Sequence, residues 1–164
     1  MSPPLPSAFV GELGQWLAFA ALLLVPGLVA TVLWAPFLLS ERLRALFRSL
    51  PPAGRTLPTY VLIGIGASIP YLAGFLAILA LVDSSGVAWS NAFLTLCFQL
   101  GVLYVVGLPI LCAVGLPRLG VDWDPTGYGW PTWGLLVVGA AWYALLFTVP
   151  IALLSFVFAL PGGY

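Results

Sequence analysis

The chain has no histidine and no lysine, and only 6% of its residues are charged. Without histidine there is no imidazole to serve as base, metal ligand or ordinary pH switch. Nucleophilic hydrolysis needs an activated Ser or Cys with a base in reach, and the sequence offers none. No Walker or HExxH pattern occurs, and Glu12 and Asp83 sit at the ends of apolar segments rather than as a buried pair. The expectation is a protein that is not an enzyme and carries no metal or cofactor. Five acidic residues balance five arginines for a formal net charge of zero, so there is no basic stripe for nucleic acid.

Cysteine is equally sparse. Cys97 and Cys112 lie fifteen residues apart in one apolar segment. On a helix that separates them by about 22 Å, far beyond the ~7 Å Cα limit for a disulfide. They read as small buried hydrophobes.

What the chain does have is apolar surface: 62% of its 164 residues are hydrophobic and the mean hydropathy is +1.14. A soluble domain carries about 25% charged residues, and this one could not cover a water-facing surface with what it has. Each bilayer crossing takes roughly 20 apolar residues. Four segments without interior charge meet that length, at about residues 13–39, 59–82, 92–116 and 134–160. They define an all-α polytopic membrane protein, a four-transmembrane-helix bundle forming a single integral membrane domain over residues 1–164. Strand spans are the poorer reading, because the runs lack the alternation of a membrane barrel. The first segment is not read as a signal peptide, since it lacks a basic n-region and exceeds the 7–15 residues of an h-region.

Arginine placement then orients the bundle. Arg42, Arg44, Arg48 and Arg55 fall in the first connection and Arg118 in the third. With four crossings those connections share a side, and the excess of basic residues makes it the cytoplasm of a cell-membrane protein, with both termini outside. Interfaces favour Trp and Tyr, so Trp16 and Trp34 are expected at the two ends of the first span. Tyr60 would mark the cytoplasmic start of the second span, Trp89 the outer loop, and Trp130 and Trp133 the start of the fourth.

Each span holds an interior proline, namely Pro26, Pro70, Pro109 and Pro150, and each is expected to kink its helix. Small residues four apart, as in Gly64 and Ser68 or Pro70 and Gly74, suit close helix approach. Pro26 and Pro109 are 83 residues apart and Pro70 and Pro150 are 80 apart, which hints at a two-helix repeat. Proline enrichment of membrane helices explains the same spacing more simply.

Three segments invite a functional reading. In residues 40–55, Leu43, Leu46, Phe47 and Leu50 recur at helical spacing with Leu39, opposite Glu41, Arg44 and Arg48. This predicts a short amphipathic helix in the inner interface, ended by Pro51 and Pro52. Arg42, Arg44, Arg48 and Arg55 would contact anionic lipid there, at about 1 kcal/mol each; the plainer reading makes them topology anchors alone. In the third span Asn91, Thr95 and Gln99 form one polar stripe at i, i+4 and i+8. Glu12, Gln15, Asp83, Ser84, Ser85 and Ser155 are candidates to join it. The stripe is either an outward vestibule for a solute or ion, or interhelical hydrogen bonding, which averages about 0.6 kcal/mol per contact; the absence of an intramembrane charge favours the second. In the third connection Asp122 and Asp124 do not make a calcium loop, because its twelfth position is Trp133. Arg118 is expected to balance one of the two aspartates.

These features point to a non-enzymatic accessory or structural subunit of a membrane assembly. Its expected partners are membrane lipids and other membrane subunits or further copies of itself. The alternative is a small-solute or ion permease or channel subunit using the stripe on the third span.

Overall fold

In a computed structural model that describes residues 24–51, 54–83 and 85–160, the chain is all-helical. Helix takes 85% of the described residues, and none of them is in a strand. The expectations for Glu12, Gln15, Trp16, Pro52 and Ser84 lie outside those residues.

Five helices follow in order: α1 (described from Leu24 to Leu39), α2 (Glu41–Ser49), α3 (Thr56–Leu81), α4 (Gly86–Arg118) and α5 (Trp130–Ala159). Helices α3, α4 and α5 are long and apolar enough to cross a membrane. Helix α1 together with α2 makes a fourth candidate, bent by 117°. Only 22% of the most apolar window of α3 and of α4, and 33% of that of α5, is buried, so most of their apolar side chains face outward.

The last three helices begin three, six and four residues earlier than the apolar runs suggested. Local chemistry accounts for two of these starts. The Ser85 hydroxyl caps α4 by accepting the Ala88 N–H at 3.2 Å. Pro131 stands in the first turn of α5, where its missing N–H costs no helical bond.

Proline also shapes the end of α1. With Pro36 in its first turn, the segment Ala35–Leu39 tightens into a 3-10 helix. Ser40 turns extended, at φ −73° and ψ 125°, and the chain sets off again as α2 at the 117° angle. Gly54, at φ +83°, then returns its N–H to the Arg48 carbonyl at 3.1 Å. A side chain would strain that conformation.

Helix α2 is amphipathic as expected, but its apolar face does not lie free at an interface. Leu43, Leu46 and Phe47 are buried with Tyr60, Ala113, Trp123 and Leu136, so α2 closes one end of the bundle against protein. Leu39, placed on that apolar face by periodicity, is 81% exposed because it belongs to the 3-10 turn before the bend.

Two aromatic residues assigned to the interface are likewise interior. Trp34 packs against Phe47, Tyr60 and Tyr143, with ring centroids 5.5–5.7 Å apart, and donates its indole N–H to the Gly139 carbonyl at 3.0 Å. Tyr60 is 3% exposed and donates its hydroxyl to the Thr31 carbonyl. Their polar edges are satisfied by backbone carbonyls of α5 and α1 rather than by an interface. Trp130, the first residue of α5, is 90% exposed.

Helices α1 and α3 cross through small residues. A Cβ on Gly64 would collide with the Thr31 side chain, and one on Gly27 with Ser68. The Gly27/Thr31 pair thus meshes with the Gly64/Ser68 pair, each four residues apart, and the backbones approach closely. Gly74 makes the same room for Leu96 of α4. Helices α3 and α5 meet through rings instead: Tyr71 stacks on Phe147 at 4.8 Å, and the Tyr143 hydroxyl donates to the Gly64 carbonyl.

Helix α3 runs on through Pro70 and α5 through Pro150. In α4 the response to proline is different. The segments Leu103–Gly107 and Leu111–Gly115 are π-helical, and each stands two residues before a proline, Pro109 and Pro117. A wider turn relieves the clash between a proline ring and the carbonyl four residues back. The sequence LYVVGLP is repeated eight residues later as LCAVGLP. In each copy the glycine makes room for the leucine four residues before it: a Cβ would stand 3.3 Å from Leu103 Cδ1 and 3.0 Å from Leu111 Cδ1.

Candidate functional site

Polar side chains gather in two places, and the first is where α2 meets the connection between α4 and α5. The Leu116 N–H bonds five residues back to Leu111, and Pro117 has no N–H to offer the next carbonyl. The Cys112 carbonyl instead accepts the Trp123 indole at 2.7 Å. That bond draws the connection back under the bundle and buries Asp124, which is 4% exposed.

Asp124 is wrapped in donors. Its Oδ1 accepts the Thr126 N–H at 3.0 Å and the Thr126 hydroxyl at 2.7 Å, and its Oδ2 accepts the Thr132 hydroxyl. Thr132 is fully buried and in turn accepts from Arg42 Nη1 at 3.2 Å. Arg42, Thr132 and Asp124 therefore form a relay joining α2, α5 and the connection. Burial alone would raise the Asp124 pKa. The hydrogen bonds from Thr132 and Thr126 and the charge of Arg42 outweigh it and hold the carboxyl below its ordinary value.

The partner of the buried aspartate is thus Arg42, not Arg118. Arg118 is exposed, and among the described residues the ion pair is Arg44 with Glu41 at 3.6 Å. Of the four arginines assigned to lipid, Arg48 and Arg55 are exposed and Arg44 partly so. Arg42 is turned toward protein. A cleft of about 550 Å³ adjoins it, lined by Ser40, Glu41, Ala45, Pro125 and Thr126. Three hydrogen bonds from Thr126 and Thr132 hold Asp124 between the connection and α5.

This arrangement carries a pH dependence. A carboxyl whose folded pKa is depressed adds stability that is complete above its unfolded value, about 3.9, and is lost as pH falls through the folded value. Asp124→Asn should flatten that acid-side loss in a thermal-melt series. Asp124→Ala should lower stability at neutral pH by about 2–3 kcal/mol, because it leaves the buried Thr132 hydroxyl only the Gly127 carbonyl at 3.4 Å and removes the negative charge that balances Arg42.

The second place is α4. Asn91, Thr95 and Gln99 do share one face, and that face is exposed. The Thr95 hydroxyl donates to the Asn91 carbonyl at 2.8 Å. Ser155 does not join them: it is fully buried on α5. Asp83 and Ser85 are exposed just before α4, where Ser85 serves as its cap. Among the described residues no group of three or more His, Cys, Asp or Glu could hold a metal ion.

Tyr104, Tyr143 and Trp142 escaped the reading from sequence, and Trp89, expected in the outer loop, stands in the first turn of α4. Tyr104 and Tyr143 donate to the carbonyls of Ala67 and Gly64 on α3, and Trp142 donates to Leu33 of α1 at 3.1 Å. Trp89 donates to Val82, at the end of α3, at 3.2 Å. Aromatic residues read as apolar or interfacial are the cross-links of this bundle.

Fold and site together define a small all-helical protein with three to four helices long and apolar enough to cross a membrane. Residues 14–162 match the family described as a domain of unknown function, DUF8162, and the chain belongs to it. No curated protein and no solved structure matches the chain.

Proposed function

We propose that the chain is a four-span membrane protein acting without chemistry of its own, as an accessory or structural subunit of a membrane assembly. Its arginine-bearing connections face the cytoplasm and both termini lie outside. The observation that carries this reading is where the unspent polarity lies. Inside the bundle the hydroxyls of Tyr60, Tyr104 and Tyr143 are bonded to neighbouring backbone, and those of Tyr71 and Ser155 are buried without a hydrogen-bond partner among the described residues and form no continuous polar path. The side-chain amides left over face outward along α4. A permease would need the reverse, polar groups lining an interior path. Outward polarity on an apolar helix suits a protein neighbour, because lipid tails offer no hydrogen bonds.

The α1–α2 bend agrees with this placement. A helix leaving the hydrocarbon at Leu39 would carry Arg44, Arg48 and Arg55 along the inner surface, within reach of lipid phosphates. Purification from native membranes in mild detergent tests the proposal. A membrane protein should co-purify in fixed ratio, and the isolated chain should leave liposomes sealed. A selective solute flux through liposomes holding this chain alone would overturn the proposal in favour of a permease.

A further inference from the structure

The Asn91 and Gln99 amides on α4 are polar groups that the fold leaves exposed along an otherwise apolar helix. Neither Asn91 nor Gln99 has a side-chain partner among the described residues. Gln99 lies thirteen residues into α4 from Gly86, about 20 Å along the axis, amid exposed Leu94, Phe98 and Val102. At that depth in a bilayer a bare amide costs several kcal/mol.

We propose that this face of α4 docks a second copy of the chain, parallel to the first, with the Gln99 and Asn91 amides pairing across a twofold axis. The inference rests on the membrane reading above. Copies inserted under the same arginine bias share one orientation. A twofold axis along the membrane normal then brings each α4 residue to its own counterpart at equal depth. A group that must pair with itself has to donate and accept at once. Asn and Gln amides and the Thr hydroxyl do so, whereas charged side chains would repel their own copies. The exposed face of α4 from Gly86 to Pro117 carries the former and none of the latter.

Shape agrees with chemistry. Phe98 projects at 74% exposed beside a groove of about 390 Å³ lined by Cys97, Gly101, Val102, Val105 and Val106. Nothing lies within 4 Å of where a Gly101 Cβ would be. One face thus offers both a knob and a hole, as a self-complementary contact requires.

The test uses the full chain in its membrane, with Cys97 and Cys112 changed to Ala and a single cysteine at position 102 or, as control, at position 153 on α5. Leu153 is 61% exposed and lies off the proposed face. Oxidation should link Val102→Cys into dimers and leave Leu153→Cys monomeric. In dilution-dependent energy transfer, Gln99→Leu should weaken self-association about threefold to tenfold, the size of one or two interhelical hydrogen bonds. Equal cross-linking at both positions, or an association unchanged by Gln99→Leu, would overturn the inference. Cross-linking of position 102 to an unlike protein would also overturn it while sparing the assembly reading. A monomer whose position 99, as cysteine, reacts freely with water-soluble reagents would sink both.

Discussion

Gly64→Ala should destabilise the folded chain by about 1–3 kcal/mol, the usual cost of overpacking a tight contact. Gly66→Ala, two residues along the same helix, should be neutral or favourable by up to about 1 kcal/mol through helix propensity. The contrast follows from geometry. A Cβ on Gly64 meets the Oγ1, Cγ2 and Cβ atoms of Thr31, and one on Gly66 meets nothing within 4 Å. Thr31 cannot swing aside cheaply, because its hydroxyl donates to the Gly27 carbonyl at 2.7 Å and its own carbonyl accepts from Tyr60. The Gly64 carbonyl is also the acceptor for Tyr143. Pushing α1 off α3 would therefore lengthen bonds at both ends of the crossing. Unfolding in mixed micelles as detergent is raised reads both variants, and equal effects would mean that α1 does not cross α3 at this glycine.

Trp34→Ala should cost about 3 kcal/mol, the low end for removing a large aromatic from a core. The low end follows from the proposed membrane location, because between helices in lipid little transfer from water is lost and contact energy remains. Trp34 packs against both hydrophobic clusters. Its rings lie between α2, through Phe47, and the α3–α5 pair, through Tyr60 and Tyr143. The loss should be larger than for Trp34→Phe, which keeps most of the contact area and drops the bond to Gly139. If Trp34 were an interface anchor, both substitutions would be mild and alike.

Trp34 also marks the boundary of what the sequence made legible. Apolar runs free of charge identify α3, α4 and α5 without ambiguity, since little else can hold so many outward-facing leucines and valines. Periodicity located the apolar face of α2 but could not say what covers it. An amphipathic stripe reads the same whether lipid or protein lies beneath, and Trp123, which helps bury Phe47, is 76 residues downstream. The repeated VGLP of α4 was readable. Its eight-residue period exceeds two turns of a 3.6-residue helix, the mark of a helix that widens before each proline.

The candidate sites divide along the same line. The register of Asn91, Thr95 and Gln99 follows from spacing alone, and the structure supplies the direction in which they point. Thr132 gave no signal, because one threonine among Trp, Pro and Gly is unremarkable until Asp124 and Arg42 arrive from either side. Arg118 was the nearest arginine in sequence to both aspartates. Arg42 is the arginine that reaches Asp124, through Thr132, because α2 folds back across the end of the bundle.

Orientation is the central claim, and accessibility at two exposed positions tests it most directly. With Cys97 and Cys112 replaced by Ala, single cysteines are placed at Ser85, just before α4, and at Leu119, just after it. An impermeant thiol reagent applied to intact cells should label Ser85→Cys at once and Leu119→Cys only after the membrane is opened. Labelling of Leu119→Cys in intact cells, with Ser85→Cys protected, would contradict the account.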